Sequence, residues 1–214
     1  NVVLWSDLDI EPWQPNGFGE PTLYDLSLTL IGPDNAEHDR VERRVGFKHV
    51  EWQPCEGAPA EADPWICVVN GEPVFLGGVN WTPIRPNFAD VALDDYRKRL
   101  ETYQQMGCTV LRVWGGGFLE REDFYDLCDE LGLLVWQEFP LSSSGLDNYP
   151  PDDATSIDEL ARIATSFVRR KRHHTSLLLW CGGNELTKIP AGQTEGMGSP
   201  IDMGHPLMQR FAEV

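Results

Sequence analysis

The residues best suited to chemistry, Asn184 and Glu185, follow a short apolar run (LLLWC, residues 177–181) and two glycines. Apolar runs of this length, bounded by turn residues, are typical of a strand that is buried on both faces of a parallel sheet. A glutamate at the carboxyl end of such a strand lies where parallel α/β folds place their catalytic groups. We therefore predict that Glu185 is a catalytic acid/base.

Three further predicted strands end in related residues. The first ends in Asn80 and Trp81, the second in an Arg-Val-Trp sequence at residues 112–114, and the third in Gln137 and Glu138. If the four strands belong to one barrel, these side chains converge on one face of it, because the carboxyl ends of parallel strands meet there.

This mixture of side chains suits a sugar. A pyranose ring packs its apolar C–H face on an aromatic ring, and its hydroxyls pair with amide, guanidinium and carboxylate groups. Hydrolysis of a glycosidic bond requires two flanking carboxyl groups, one protonated and one ionised. The sequence therefore favours a carbohydrate-active enzyme, and the predicted sugar-binding residues are Asn184, Trp114, Arg112, Glu138 and Trp81.

Several residues near these strand ends also have a purely structural interpretation. Core packing is the simpler expectation for Trp180, and Arg112 could belong to a structural ion pair. The three glycines at residues 115–117 could cradle a phosphate, but the spacing of known phosphate loops is absent. His173 and His174 could bind a metal, but adjacent helical residues do not share a face. Helix capping is therefore favoured for them, and no metal or other cofactor is predicted.

The elements that carry these residues fall into two parts. Residues 1–65 are predicted to be β structure from an antiparallel sandwich, with strands over 24–30 and 41–50, and too few of them for a whole sandwich. A hairpin is predicted around Asn70 and Gly71, because this dipeptide forms the tight turn that joins antiparallel strands.

From Phe75 onward, strands and helices alternate. Strands are predicted over 75–80, 109–114, 133–137 and 177–181. Helices are predicted over 93–106, 122–131 and 157–172, the first two closed by Gly107 and Gly132, with a loop over 141–153 and the start of a fourth helix over 205–214. This alternation predicts a parallel sheet. It fits both the first half of an eightfold barrel and an open doubly wound sheet, and periodicity alone does not choose between them.

The composition narrows the functional classes. The formal net charge is −17, and an acidic surface argues against nucleic-acid binding. The acidity and the scarcity of lysine are compatible with a high-salt habitat or with an ordinary solvated surface. No apolar run approaches the roughly 20 residues of a membrane span, so no membrane partner is predicted. The five cysteines, without a CxxC spacing, favour buried free thiols in a reducing compartment such as the cytoplasm.

Taken together, the motifs resemble the family-2 glycoside hydrolases. WQPNGFGE (13–20), GF (46–47) and VNGEPVFLGGVNW (69–81) resemble the junction between the immunoglobulin-like domain and the barrel of that family. RVWGGG (112–117), FYDLCDELG (124–132), VWQEF (135–139) and WCGGNE (180–185) resemble its β-mannosidase branch. The resemblance implies the end of an immunoglobulin-like β-sandwich domain at residues 1–65. It also implies the first half of a (β/α)8 TIM barrel at residues 66–214, truncated after strand four.

The resemblance also implies an activity, the retaining hydrolysis of β-linked mannosides with Glu185 as general acid/base. Arg112 and Trp114 match positions that line the sugar subsite, and the branch usually has Asp where this chain has Glu138. The family's nucleophile is a second glutamate at the end of strand seven, which has no counterpart here. The alternatives are β-galactosidase or β-glucuronidase specificity, or a non-catalytic piece. An isolated half-barrel is expected to self-associate, since its sheet edges are open.

Overall fold

The N-terminal part of the chain forms two small antiparallel sheets. A computed structural model describes residues 3–142, 149–188 and 198–214. The first sheet pairs β1 (Tyr24–Ile31) with β2 (Glu37–Val45), and the second contains β3 (Val50–Gln53), β4 (Ile66–Val69) and β5 (Glu72–Pro73). The predicted hairpin turn is confirmed, because Asn70 and Gly71 adopt positive φ angles of 52° and 88° between β4 and β5.

Two details of this part differ from expectation or extend it. The second strand was predicted over 41–50, but β2 begins at Glu37, directly after the turn that reverses the chain, and its pairing with β1 ends at Val45. The three-stranded sheet joins β3 to β4 and therefore crosses the predicted domain boundary between residues 65 and 66. That boundary stays a prediction.

The predicted alternation of strands and helices is confirmed in the rest of the chain. The strands are β6 (Gly78–Trp81), β7 (Val110–Val113), β8 (Leu134–Glu138) and β9 (Leu177–Cys181). They alternate with α1 (Leu93–Gln105), α2 (Glu122–Leu131) and α3 (Ala154–Lys171). A 3-10 turn (Phe88–Asp90) precedes α1. After β9 come two short antiparallel strands, β10 (Thr187–Lys188) and β11 (Ser199–Pro200), and helix α4 (Pro206–Ala212).

The ends of these elements follow the predicted signals. Gly107 and Gly132 have φ angles of +81° and +71° just past α1 and α2. Part of the predicted loop over 141–153 lies outside the described residues, namely 143–148. None of the helices in the described ranges is both long and apolar enough to cross a membrane.

The strand order distinguishes a barrel from a doubly wound sheet. β6, β7, β8 and β9 lie side by side in chain order, and each pair is parallel. A doubly wound sheet reverses its order at a switch point and carries helices on both faces. Here α1 and α2 pack on one face of the sheet, through buried side chains such as Leu100 and Leu127. On the other face, Val110 and Leu134 pack against N-terminal residues such as Trp13. The arrangement is that of the first half of a (β/α)8 barrel.

The N-terminal part closes the amino-terminal end of the parallel strands. Trp13 is fully buried, and its indole N–H donates to the carbonyl of Asp129 at 2.8 Å. The ammonium of Lys48 donates to the carbonyls of Thr175 and Leu177, where β9 begins. Burial lowers the pKa of Lys48 to about 8, although the nearby Asp129 opposes this shift. These contacts fix where β9 starts and, with it, where its carboxyl end delivers Asn184.

Candidate active site

A network of hydrogen bonds around Arg112 occupies the carboxyl ends of the four parallel strands. Its Nη1 donates to Oδ1 of Asn80 at 3.0 Å. Its Nε and Nη2 both donate to Oε1 of Glu138, at 2.9 and 2.7 Å. Nη2 also donates to Oδ1 of Asn184 at 2.6 Å. The structure therefore brings together Arg112, Glu138 and Asn184, three residues that the sequence places on three different strands or strand ends.

The alternation of side chains along each strand explains this convergence. Asn80 of β6 lies directly beside Arg112 of β7, and Arg112 beside Trp136 of β8. Residues that are directly paired across strands point to the same face. That face is the one opposite to α1 and α2, which is the interior of the barrel.

The same alternation places Trp81 elsewhere. It follows Asn80 by one residue, so its ring points to the helical face, where it is 3% exposed and packs on Tyr96 and Phe124. Its indole N–H donates to the buried carboxylate of Glu120 at 2.9 Å. This placement does not support the predicted sugar contact of Trp81. Asn80 is the member of the site that the prediction left out, although the period-two pattern of β6 contains the signal.

Glu138 is almost completely buried and uses both carboxylate oxygens within the protein. Oε1 accepts from Arg112, and Oε2 accepts the backbone N–H of Gly115 at 2.7 Å. Gly115 begins the glycine-rich loop after β7, so the first N–H of the suspected phosphate cradle is already satisfied by a carboxylate. Glu138 therefore holds both the guanidinium and the loop in place, and its oxygens are not directed at solvent.

Asn184 and Glu185 lie in a tight turn after β9. The backbone N–H of Asn184 donates to the carbonyl of Leu141 at 2.8 Å, and its side-chain amide donates to Oγ of Ser142 at 3.2 Å. Asn184 is buried, whereas Glu185 is exposed and has a φ of +51°. A non-glycine residue in this region of φ costs of order 1 kcal/mol or more, and such residues concentrate at functional sites. The fold thus holds Asn184 rigidly and presents Glu185 beside it.

Trp114 lies at the mouth of the half-barrel, half-buried, over its own glycine-rich loop. Its backbone N–H donates to the carbonyl of Trp81 at 3.1 Å, which extends the pairing of β6 with β7 by one residue. Atoms Cζ2 and Cη2 of its ring lie 2.1 Å from the point where a Cβ on Gly116 would be. Any side chain at position 116 would therefore displace the ring.

Comparison with known proteins assigns the family. Residues 65–199 match the TIM barrel domain of "Glycosyl hydrolases family 2". The chain belongs to glycosyl hydrolase family 2. This match confirms the predicted family and the predicted barrel fold. The predicted β-mannosidase branch is supported by individual proteins that are similar to this family 2 chain.

Three relatives illustrate the match. Beta-mannosidase B of Emericella nidulans is 35% identical over 183 residues, which is 85% of this chain and 21% of the relative. The structure of the β-D-mannosidase of Dictyoglomus thermophilum is 36% identical, with a TM-score of 0.71, and the match covers 81% of this chain and 20% of that one. The β-glucuronidase of Parabacteroides merdae is 25% identical, with a TM-score of 0.64, over 82% of this chain and 20% of that one. The chain therefore spans about a fifth of the length of these relatives.

Among the residues that the structure describes, two groups in this family 2 chain could hold a metal, and both include His174. One group adds Glu122 and His173, and the other adds Asp126 and Asp129. However, His174 already contacts Asp129 through Nδ1 at 2.8 Å and Glu122 through Nε2 at 3.0 Å. Burial alone would lower the pKa of His174, but these two carboxylates outweigh it and raise the pKa. Both ring nitrogens of His174 therefore already have carboxylate partners, and these contacts join α2 to the segment before β9.

The same contacts correct the predicted capping role of His174. Its ring bonds to side chains of α2 and not to carbonyl groups at the end of α3. The backbone N–H of Arg172 caps α3 instead, by donating to the carbonyl of Val168.

Replacing Gly116 with Ala in the full-length protein is expected to disturb the position of Trp114. Because the new Cβ would collide with the ring, we expect kcat/KM for the preferred nitrophenyl glycoside to fall by about 10- to 100-fold. Gly117→Ala is the matched control. Its Cβ would approach nothing closer than the Trp114 carbonyl oxygen at 3.3 Å and would not reach the ring. Equal losses in the two variants would show that the ring position does not matter.

Proposed function

We propose that this chain is the first half of the catalytic barrel of a retaining β-mannosidase. The observation that carries the proposal is the convergence of Arg112 with Asn80, Glu138 and Asn184, the last of which directly precedes the exposed residue Glu185 in the chain. The similarity to two proteins described as β-mannosidases, at 35% and 36% identity over more than four-fifths of the chain, supports the same substrate.

In this proposal the network recognises the sugar and Glu185 transfers the proton. Arg112 is 28% exposed at its side chain, and Asn80 is also exposed, so both retain surface that can reach sugar hydroxyls. The half-buried ring of Trp114 offers a flat face to the C–H groups of a pyranose. Glu185 would protonate the leaving glycosidic oxygen and then deprotonate the water that releases the sugar from the enzyme.

The nucleophile is proposed to come from a residue outside this chain. A retaining mechanism requires two carboxyl groups roughly 5 Å apart. Glu138 is a poor candidate for the second group, because both of its oxygens already accept hydrogen bonds from Arg112 and Gly115 and its side chain is 2% exposed.

β-Glucuronidase specificity is the alternative that the comparisons raise, through the Parabacteroides merdae structure. A glucuronide carries a carboxylate, which requires an available cation. The charge of Arg112 is already paired with Glu138, whose Oε1 accepts from both Nε and Nη2 of the guanidinium. A neutral sugar is therefore the better match to this part of the site.

Steady-state hydrolysis of nitrophenyl glycosides by the full-length protein tests the proposal. The panel contains the β-mannoside, β-glucoside, β-galactoside and β-glucuronide of the same leaving group, so that only the sugar varies. We expect kcat/KM for the mannoside to exceed the other values by about 10-fold or more, which is about 1.4 kcal/mol of transition-state discrimination. A preference for the glucuronide or the galactoside would overturn the mannosidase assignment.

Two properties of the isolated chain stay proposals. Self-association is supported by exposed large apolar side chains such as Trp65 and Leu30, each 63% exposed. A monomeric mass of the isolated chain by light scattering would contradict it.

A reducing compartment such as the cytoplasm is supported by the five cysteines, all within the described ranges and all free. Fewer than five titratable thiols in protein isolated without reductant would contradict that proposal.

A further inference from the structure

Two contacting aromatic rings, one exposed and one half-buried, lie on the loops that follow β6 and β7. Phe88 belongs to the 3-10 turn before α1, and Phe118 follows the glycine-rich loop. Their ring centroids are 4.2 Å apart, with an angle of 38° between the planes. Phe88 is 49% exposed, and Phe118 is half-buried against it. We call these two residues the phenylalanine pair.

The phenylalanine pair lies on the same face of the half-barrel as the Arg112 network. In a parallel half-barrel, loops that leave the carboxyl ends of strands share one face, so both rings lie on the face that carries Asn80 and Trp114. The two loops also pack on each other, since a Cβ on Gly117 would lie 3.5 Å from Cδ of Pro83. The pair is therefore an extension of the candidate site along its rim.

A buried glutamate, Glu120, fixes the loop that carries Phe118. Glu120, two residues after Phe118, accepts the indole N–H of Trp81 at 2.9 Å and the hydroxyl of Tyr96 at 2.6 Å. It is 4% exposed, so both hydrogen bonds are shielded from water. The loop of Phe118 is thus fastened to β6 and to α1, the two elements that flank the turn of Phe88. Rigid support of this kind lowers the entropic cost of binding a ligand on the rings.

We propose that the phenylalanine pair binds a second sugar ring of a β-linked mannooligosaccharide, next to the ring held by the Arg112 network. This inference rests on the proposed function. The exposed ring of Phe88, with Phe118 packed against it at 4.2 Å, presents an apolar face that matches the C–H face of one pyranose. A protein partner would need roughly 800 Å² on each side, far more than two phenylalanines supply. The position, size and apolar character of the pair therefore favour a sugar as its ligand. A mannooligosaccharide that reaches the pair gains affinity from it, whereas a single mannoside does not.

Substrates of different length test the inference in the full-length protein. For Phe88→Ala we expect kcat/KM for β-linked mannotriose to fall roughly 3- to 10-fold, in the range of one lost aromatic contact, while the value for methyl β-mannoside, whose leaving group has no ring to contact the pair, changes less than about 2-fold. Phe88→Trp is expected to retain the preference for mannotriose. Phe88→Leu, which restores apolar bulk without a flat ring, is expected to lose it.

Phe75→Ala is the matched control. Phe75 is also a phenylalanine, is 86% exposed and precedes β6 at the opposite end of the barrel strands. It should leave both substrates unchanged. Equal losses on the two substrates for Phe88→Ala, or full rescue by Phe88→Leu, would show that the pair serves packing and would overturn the proposal.

Calorimetric titration separates failure of this inference from failure of the proposed function. Mannotriose and methyl β-mannoside are titrated into Glu185→Gln, which should hydrolyse neither sugar, and into the double variant that adds Phe88→Ala. Binding without turnover in the wild type would contradict the mannosidase assignment, and the effect of Phe88→Ala on the ratio of the two Kd values would still decide the role of the pair. A ratio that Phe88→Ala leaves unchanged would overturn the second subsite.

Discussion

Glu185→Gln in the full-length protein is expected to lower kcat for an unactivated β-mannoside by about 10²- to 10⁴-fold, the usual contribution of a positioned acid/base. Gln has the shape of Glu but cannot donate a proton to the leaving oxygen. A dinitrophenyl leaving group needs no proton, so formation of the glycosyl-enzyme should continue with that substrate. Its hydrolysis needs a base and should become slow. We therefore expect a rapid burst of dinitrophenol, followed by a slow steady state.

Azide provides a direct check of that role. It attacks the glycosyl-enzyme without help from a base, so it should restore turnover of the dinitrophenyl substrate in Glu185→Gln and have no such effect on the wild type. Glu72→Gln is the matched control, because Glu72 is an exposed glutamate of β5, away from the carboxyl ends of the parallel strands. Loss of the burst together with loss of turnover, or an absence of azide rescue, would remove Glu185 from the acid/base role.

The elements could be predicted from the sequence because each has a local cause. The bounds of α2 agree with prediction, Glu122 to Leu131, since its apolar spacing and the glycine that follows it are both local signals. Strands β7, β8 and β9 agree within one residue at each end, because each is a short and mostly apolar run. The clustering of strand ends followed from topology, because parallel strands deliver their carboxyl ends to one face.

Side-chain partners depend on geometry that the residue types do not contain. Whether Asn80 or Trp81 faces the barrel interior depends on the register of β6 against β7, where Asn80 pairs with Arg112. Its residue type favours Trp81 as a sugar contact, but the pairing of β6 with β7 places its ring on the helical face. The bonds of Glu138 could not be predicted either, because one partner, Gly115, lies 23 residues away. The contact of Trp13 with Asp129 spans 116 residues and has no local signal at all.

Arg112 is the residue whose replacement is expected to affect both stability and activity. In Arg112→Ala, the N–H of Gly115 is the one partner within the described ranges that the buried carboxylate of Glu138 keeps, and an uncompensated buried charge costs about 3–5 kcal/mol of unfolding free energy. Arg112→Lys retains the charge, but an ammonium cannot reproduce a fork that reaches Asn80, Glu138 and Asn184 together. We expect a smaller loss of stability for Lys and a fall in kcat/KM of about 100-fold or more for both variants. Urea unfolding and steady-state kinetics measure the two effects.

Controls for this prediction must separate an ion pair that stabilises the fold from one that binds sugar. Arg162→Ala removes an exposed arginine paired with Glu159 and should change neither quantity measurably. The double variant Arg112→Met with Glu138→Gln removes both charges and keeps an oxygen that can accept from Gly115. Replacing both partners of a buried pair is often close to neutral, so this variant should recover most of the stability that Arg112→Ala loses. If activity stays low while stability returns, the pair serves sugar binding. Recovery of both would assign Arg112 to the fold alone and would remove it from the site.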